Sequence, residues 1–142
     1  MITGLAHVNL SVPAGTLGLA REFYGDTLGL APRPVPQLQK DSLAWFDIAS
    51  SGQQVHIAHG REVDFASEHA LTSPRHPCFK LETPEKLLEL QRRIWTHFEK
   101  GGESAPRECD RPGGENSGDK GVEYPTRFFA RDYAGNRLEF SL

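Results

Sequence analysis

The chain has 142 residues, a formal net charge of −3 and 25% charged side chains, enough for one compact domain or two small modules. No basic run or basic helix face is present, which argues against a nucleic-acid partner. No stretch approaches the roughly 18 consecutive apolar residues of a membrane span. With 37% hydrophobic residues the composition is globular. The two cysteines, Cys78 and Cys109, form neither a metal-type pair nor a disulfide framework, and no signal-type apolar core follows Met1. A cytoplasmic protein is expected.

The elements come in an order that repeats. Residues 4–12 alternate: His7, Asn9 and Ser11 against Ala6, Val8, Leu10 and Val12, a strand pattern. Pro13 and Gly15 end it, and Thr16 is placed to cap a helix on which Leu17, Ala20, Phe23, Tyr24 and Leu28 share one face. Gly25 and Gly29 weaken its last turn. The proline-punctuated run Ala31–Pro36 allows only an edge strand or an extended connection. Strands over 43–48 and 53–58 follow, turned by Ser50-Ser-Gly52.

The second half starts with a strand over 76–81. Thr83-Pro84-Glu85 is a strong helix start, with a capping hydroxyl, proline at the first helical position and an acid near the positive dipole end. Leu87, Leu90, Ile94 and Phe98 mark its apolar face, and Gly101-Gly102 its end. Strands over 126–131 and 136–140 are joined by Asp132-Tyr-Ala-Gly135. No pattern marks the strand that a full repeat requires between the helix and this hairpin. The spacing His7–His76 is 69 residues and His56–Glu139 is 83; the glycine-rich segment 101–123 can absorb the difference of 14. That segment is longer than most connections and is a candidate substrate lid.

His7, His56, His76 and Glu139 fall at matching places in the two halves, one in each of four strands. A lone strand histidine is usually a hydrogen-bonded core or surface residue. Repeated placement changes that expectation, because three imidazoles and a carboxylate form a donor set for a divalent ion. Zn, Ni, Mn, Co and Fe all suit these donors. With His56 as a ligand, an octahedral ion keeps two adjacent positions for a substrate with vicinal oxygens, and Glu139 is the candidate base. Without His56, two histidines and a carboxylate suit Fe(II) and oxygen activation. Asn9, Trp45, Arg127 and Phe129 are candidate substrate-binding residues. For each the plainer reading is a polar strand face, a core aromatic or a solvated arginine. Cys78 reads as a small buried residue, and His59, His69 and His97 as solvent-facing.

Three stretches resemble the vicinal oxygen chelate superfamily, which includes glyoxalase I, bleomycin-resistance proteins, fosfomycin-resistance enzymes and extradiol dioxygenases. They are Gly4-Leu-Ala-His7-Val-Asn-Leu, Phe23-Tyr-Gly-Asp-Thr-Leu-Gly-Leu30 and Phe128-Phe-Ala-Arg-Asp132-Tyr-Ala-Gly135-Asn136-Arg-Leu-Glu139-Phe. The resemblance implies an α+β fold of two βαβββ modules, with curled mixed sheets around a metal-binding cleft. It implies a single domain over 1–142: module one about 1–60, a linker about 61–74, and module two about 75–142. It further implies ligands at His7, His76 and Glu139, with His56 where glyoxalase I has a glutamate, and a homodimer. Tyr133 stands where the closing hairpin usually has proline. The function so implied is a metal-dependent, glyoxalase-like lyase or isomerase working through a metal-stabilised enediolate. The alternatives are an Fe(II) extradiol dioxygenase and a non-catalytic drug-binding protein.

Overall fold

The structure is a computed structural model that describes residues 1–60, 73–118, 121 and 126–142. The fold is α+β, and the chain divides into two compact units, Met1–Glu68 and His69–Leu142. Each is built in the order β-α-β-β-β around its own four-stranded mixed sheet. Most of the expected linker 61–74, and His69 with it, lies outside the described residues.

The first unit holds β1 (His7–Val12), α1 (Leu17–Ala20), β2 (Ala31–Arg33), β3 (Leu43–Asp47) and β4 (Gln54–His59), in sheet order β1-β4-β3-β2. β1 runs parallel to β4, and the other pairings are antiparallel. Val12, Ala20, Phe23, Tyr24, Phe46, Val55 and Ile57 are all buried and form its core. Two local expectations are corrected here. The Thr16 hydroxyl does not cap α1; it donates back to Pro13 O at 2.7 Å. Beyond Ala20 the helix widens into a π-helix over Arg21–Thr27, with Leu28 N–H reaching Phe23 O at 2.9 Å. Such i→i+5 segments are rare, and the 3.6-residue spacing of Phe23, Tyr24 and Leu28 gives no sign of one. β2 is an edge strand, as its prolines require.

The second unit holds β5 (Cys78–Lys80), α2 (Pro84–Lys100), β6 (Glu108–Cys109), β7 (Arg127–Arg131) and β8 (Arg137–Ser141), in sheet order β5-β8-β7-β6. Thr83 Oγ1 accepts Lys86 N–H at 3.2 Å, and Gly101, at φ 71°, ends α2. Leu87, Leu90 and Ile94 of α2 and Phe128, Ala130, Leu138 and Phe140 of the hairpin are buried. The strand that the sequence pattern does not show is β6. Two residues are too short for any periodicity, and the edge of β7 is finished largely by side chains. Asp110 N–H donates to Phe129 O at 2.9 Å, Asp110 Oδ2 accepts Phe129 N–H at 2.8 Å, and Asn116 Nδ2 donates to Arg127 O. A sheet edge is thereby covered without a full strand.

Register makes the repeat exact at the level of single residues. Asn9 pairs with His56 and His56 with Trp45; Cys78 pairs with Glu139 and Glu139 with Phe129. His56 and Glu139 are each the third residue of the strand lying between the other two. Since side chains alternate along a strand, these residues share the sheet face opposite the apolar core of their own unit.

Candidate metal and substrate residues

Among the described residues no group of three or more His, Cys, Asp or Glu is placed to hold a metal ion. The candidate donors come together in two pairs, one in each unit.

In the first unit the rings of His7 and His56 stack at 4.0 Å, and Trp45 stacks on His56 at 4.6 Å, with an interplanar angle of 11° for both. Gln54 Nε2 donates to Asp47 Oδ1 at 2.7 Å, so Gln54 Oε1 faces His56 Nε2, 2.9 Å away, as an acceptor. His56 Nε2 therefore carries its hydrogen, and the lone pair sits on Nδ1. Burial first and the neighbouring His7 second push the His56 pKa below the ordinary histidine value. A neutral imidazole whose second nitrogen is held by a hydrogen bond is the form that ligates metals. Gln54 was missed at the sequence level. Its signal was its position two residues before His56, on the same strand face.

In the second unit His76 Nε2 lies 2.8 Å from Glu139 Oε2, and His76 Nδ1 lies 2.6 Å from Pro74 O. The carbonyl can only accept, so Nδ1–H points to it and fixes the ring. Two acceptors would otherwise face each other at 2.8 Å, so a cation, either a proton or a metal ion, belongs between Nε2 and Oε2. Two donors at about 2.0–2.1 Å from one ion, and at right angles to each other, stand about 3 Å apart. The spacing of this pair is compatible with two ligands of one divalent ion, and equally with a hydrogen bond between the ring and the carboxylate. Glu139 is 8% exposed, and its second oxygen accepts from Arg127 Nη1 at 3.2 Å. Arg127, expected on a substrate carboxylate, thus holds a carboxylate of the chain itself.

The expected substrate-binding residues sit beside these pairs. Asn9 is the cross-strand partner of His56. The Trp45 indole N–H is buried with no hydrogen-bond acceptor among the described residues. Phe129 is 5% exposed; its ring makes an edge contact with His76 at 5.5 Å, and the guanidinium of Arg137 lies over it at 4.3 Å. Of the other histidines, His59 is exposed at the end of β4, and His97 contacts the Ser104 hydroxyl at 3.3 Å.

Cys78 corrects another expectation: it is exposed, because β5 is an edge strand and only Phe79 turns inward, onto Phe140. Partial burial and the Glu139 charge still raise its pKa. Cys109 is pushed up to about 12 by burial first and Asp110 second. At pH 8 on the order of one Cys109 thiol in 10⁴ is ionised. Iodoacetamide at that pH is expected to alkylate Cys78 first and to leave Cys109 unmodified at least tenfold longer, as read by peptide mass spectrometry.

No protein-family model matches the chain, and no curated protein matches it significantly. Solved structures do. A protein assigned to the glyoxalase family from Bacillus anthracis is 26% identical, covering 99% of this chain and 94% of that chain, with a TM-score of 0.69. A variant of the fosfomycin resistance protein FosX from Listeria monocytogenes, complexed with Mn(II) and 1S,2S-dihydroxypropylphosphonic acid, is 17% identical, covering 99% and 92%, with a TM-score of 0.67. Lactoylglutathione lyase from Agrobacterium tumefaciens is 18% identical, covering 99% and 93%, with a TM-score of 0.59. With paired β-α-β-β-β units, a histidine at or just before the start of each and Glu139 in the closing hairpin, the chain shares the fold of these glyoxalase-family, FosX and lactoylglutathione lyase structures, all members of the vicinal oxygen chelate superfamily.

Proposed function

We propose that the two modules work as one domain, a divalent-metal-dependent, glyoxalase-like lyase or isomerase acting on a small substrate with adjacent oxygens. The observation that carries this reading is the facing pair His76 Nε2 and Glu139 Oε2 at 2.8 Å, a cation position between two ligand types. In the proposal His7 and His56 complete the donor set, Zn, Ni, Mn, Co or Fe being equally suited, and the protein acts as a cytoplasmic homodimer. The ion, when bound, supplies Lewis acidity toward two vicinal oxygens. All else is done by the chain. Arg127 holds Oε1 of Glu139, so Oε2, once released from its place opposite His76 Nε2, is the oxygen that would take a proton from the carbon beside the substrate carbonyl and return it to the neighbouring one. Gln54 fixes the tautomer of His56 that leaves Nδ1 to ligate, while burial and the neighbouring His7 favour the neutral ring. The buried Trp45 N–H is a ready donor to a substrate oxygen, and Asn9 is a second group that can orient it. Structures of the same fold named as a lyase, and one holding Mn(II), support the reading.

Elemental mass spectrometry of the purified chain tests it. Near-stoichiometric divalent metal, falling at least tenfold in occupancy on His56→Ala, is expected. No metal after reconstitution would remove the site and leave a small-molecule binding protein. Iron that the His56→Ala variant keeps would move the reaction to ring-cleaving oxygenase chemistry.

A further inference from the structure

The repeat assigns each residue of one sheet face a counterpart in the other unit, and one pair of counterparts differs in kind. In the first unit Gln54 pairs across the sheet with Asp47, and their side chains hydrogen-bond at 2.7 Å. In the second unit the corresponding partners are Arg137 and Arg131, two cations. Like charges directly opposite each other on a sheet destabilise it unless a counter-charge intervenes.

Arg131 is fully engaged: Nε donates to Glu108 at 3.1 Å, Nη1 to Gly135 O at 2.9 Å and Nη2 to Ser73 O at 3.2 Å. Arg137 has no hydrogen bond or carboxylate partner among the described residues. Its guanidinium lies on the Phe129 ring, and both residues line a pocket of about 260 Å³ with Glu108, Cys109, Asp110 and Ser117. The anionic groups in this pocket are already taken. Asp110 accepts Ser117 N–H with both oxygens at 3.1 Å and Phe129 N–H at 2.8 Å, and Glu108 holds Arg131. Cys109 stays a neutral thiol directed at Asp110 O. Among the described residues, what remains unengaged is the Arg137 guanidinium and the Ser117 hydroxyl, and both can donate.

We infer that this pocket binds a small oxyanion, a carboxylate or phosphoryl group, with Arg137 as its fork and Ser117 as a second donor. The guanidinium carbon lies 4.3 Å over the Phe129 ring, which holds the charged end at the pocket wall, where its N–H donors can fork onto one oxyanion. Arg137 is two residues before Glu139 on β8, on the same face and about 7 Å along the strand. On the reading proposed above, the pocket takes the anionic end of the substrate, so the substrate is a small acid.

The test is calorimetric titration of the full chain, as purified and in chloride-free buffer, with inorganic phosphate and separately with acetate. Saturable binding of at least one of them is expected, persisting when EDTA is added. It should weaken at least tenfold in Arg137→Met, several-fold in Ser117→Ala, and less in Arg137→Lys than in Arg137→Met. Phosphate binding and no acetate binding would assign a phosphoryl ligand, and the converse a carboxylate. Binding abolished by EDTA would place the anion on a metal ion and overturn the inference. So would equal binding by a folded Arg137→Met variant, or no binding by the parent chain. Anion binding by a chain that takes up no metal would leave this pocket standing while the proposed reaction fails; metal uptake without EDTA-resistant binding would do the reverse.

Discussion

Glu139→Gln is expected to lower turnover of an α-hydroxy carbonyl substrate by about 10²–10⁴, the range for removal of a general base. Glutamine keeps the size and one accepting oxygen, so the hairpin survives. It cannot take the proton, and it is a poor ligand opposite His76. A second effect separates this position from an ordinary surface acid. Arg127 and Glu139 have side chains only 13% and 10% exposed, so the exchange removes the carboxylate that this nearly buried guanidinium holds. The cost is about 1–3 kcal/mol in unfolding free energy, since a nearly buried charged donor loses its charged acceptor. The double variant Arg127→Met/Glu139→Gln should regain much of that stability in urea denaturation and none of the turnover. If the single variant keeps both activity and stability, Glu139 has neither role.

Asp132→Ala is expected to produce the largest loss of stability. Asp132 is fully buried in the turn that joins β7 to β8. Its Oδ1 accepts Ala134 N–H at 2.9 Å and Asn136 N–H at 2.8 Å, and Oδ2 accepts Asn136 Nδ2 at 2.9 Å. Alanine strands two backbone donors away from water, at about 1–3 kcal/mol each, or roughly 2–6 kcal/mol together. The turn, Asn136 included, also sets the register that places Glu139 opposite Phe129, so metal occupancy should fall along with the urea midpoint. Asp132→Asn keeps an acceptor at Oδ1 and should cost much less. A midpoint unchanged in Asp132→Ala would show that Gly135, at φ 93°, and the strands hold the turn without the carboxylate.

The legible parts of this chain are those governed by short-range periodicity. Alternation over residues 4–12 marked the first strand, the turn Asp132-Tyr-Ala-Gly135 placed the last two at 126–131 and 136–140, and Thr83-Pro84 with Gly101 bounded α2 to the residue. The π-helix was hidden because its wider bonding leaves the apolar spacing of Phe23 and Tyr24 unchanged. β6 was hidden because a two-residue strand has no period. At the site, His56 and Glu139 could be singled out because they fall at matching places in the two halves of the chain. Gln54 could not, since it is chemically unremarkable until register sets it beside His56, and Arg127, singled out as a substrate-binding candidate, is placed against Glu139 only by the pairing of the strands. The turn after β7 does not fix that register by itself: the four residues Asp132-Tyr-Ala-Gly135 alone would pair Arg131 with Asn136, whereas Arg131 pairs with Arg137 and Phe129 with Glu139, Asn136 being part of the turn. The exposure of Cys78 was lost for a different reason, since nothing in a strand's own sequence says whether it lies at the rim of its sheet.

In both sheets the strand that comes last in the unit lies between the strand that comes first and the hairpin partner before it. Neither β1 nor β5 has a neighbour until β4 or β8 arrives, some forty or more residues of chain later. Contacts this distant must meet the entropy of closing a long loop before they return any stabilisation, which makes folding slow and leaves no stable half-sheet on the way. The order also makes each module indivisible. Cut a module short of its final strand and the first strand is orphaned as well, so a chain of this design can lengthen by copying a whole module but cannot shed part of one and stay folded.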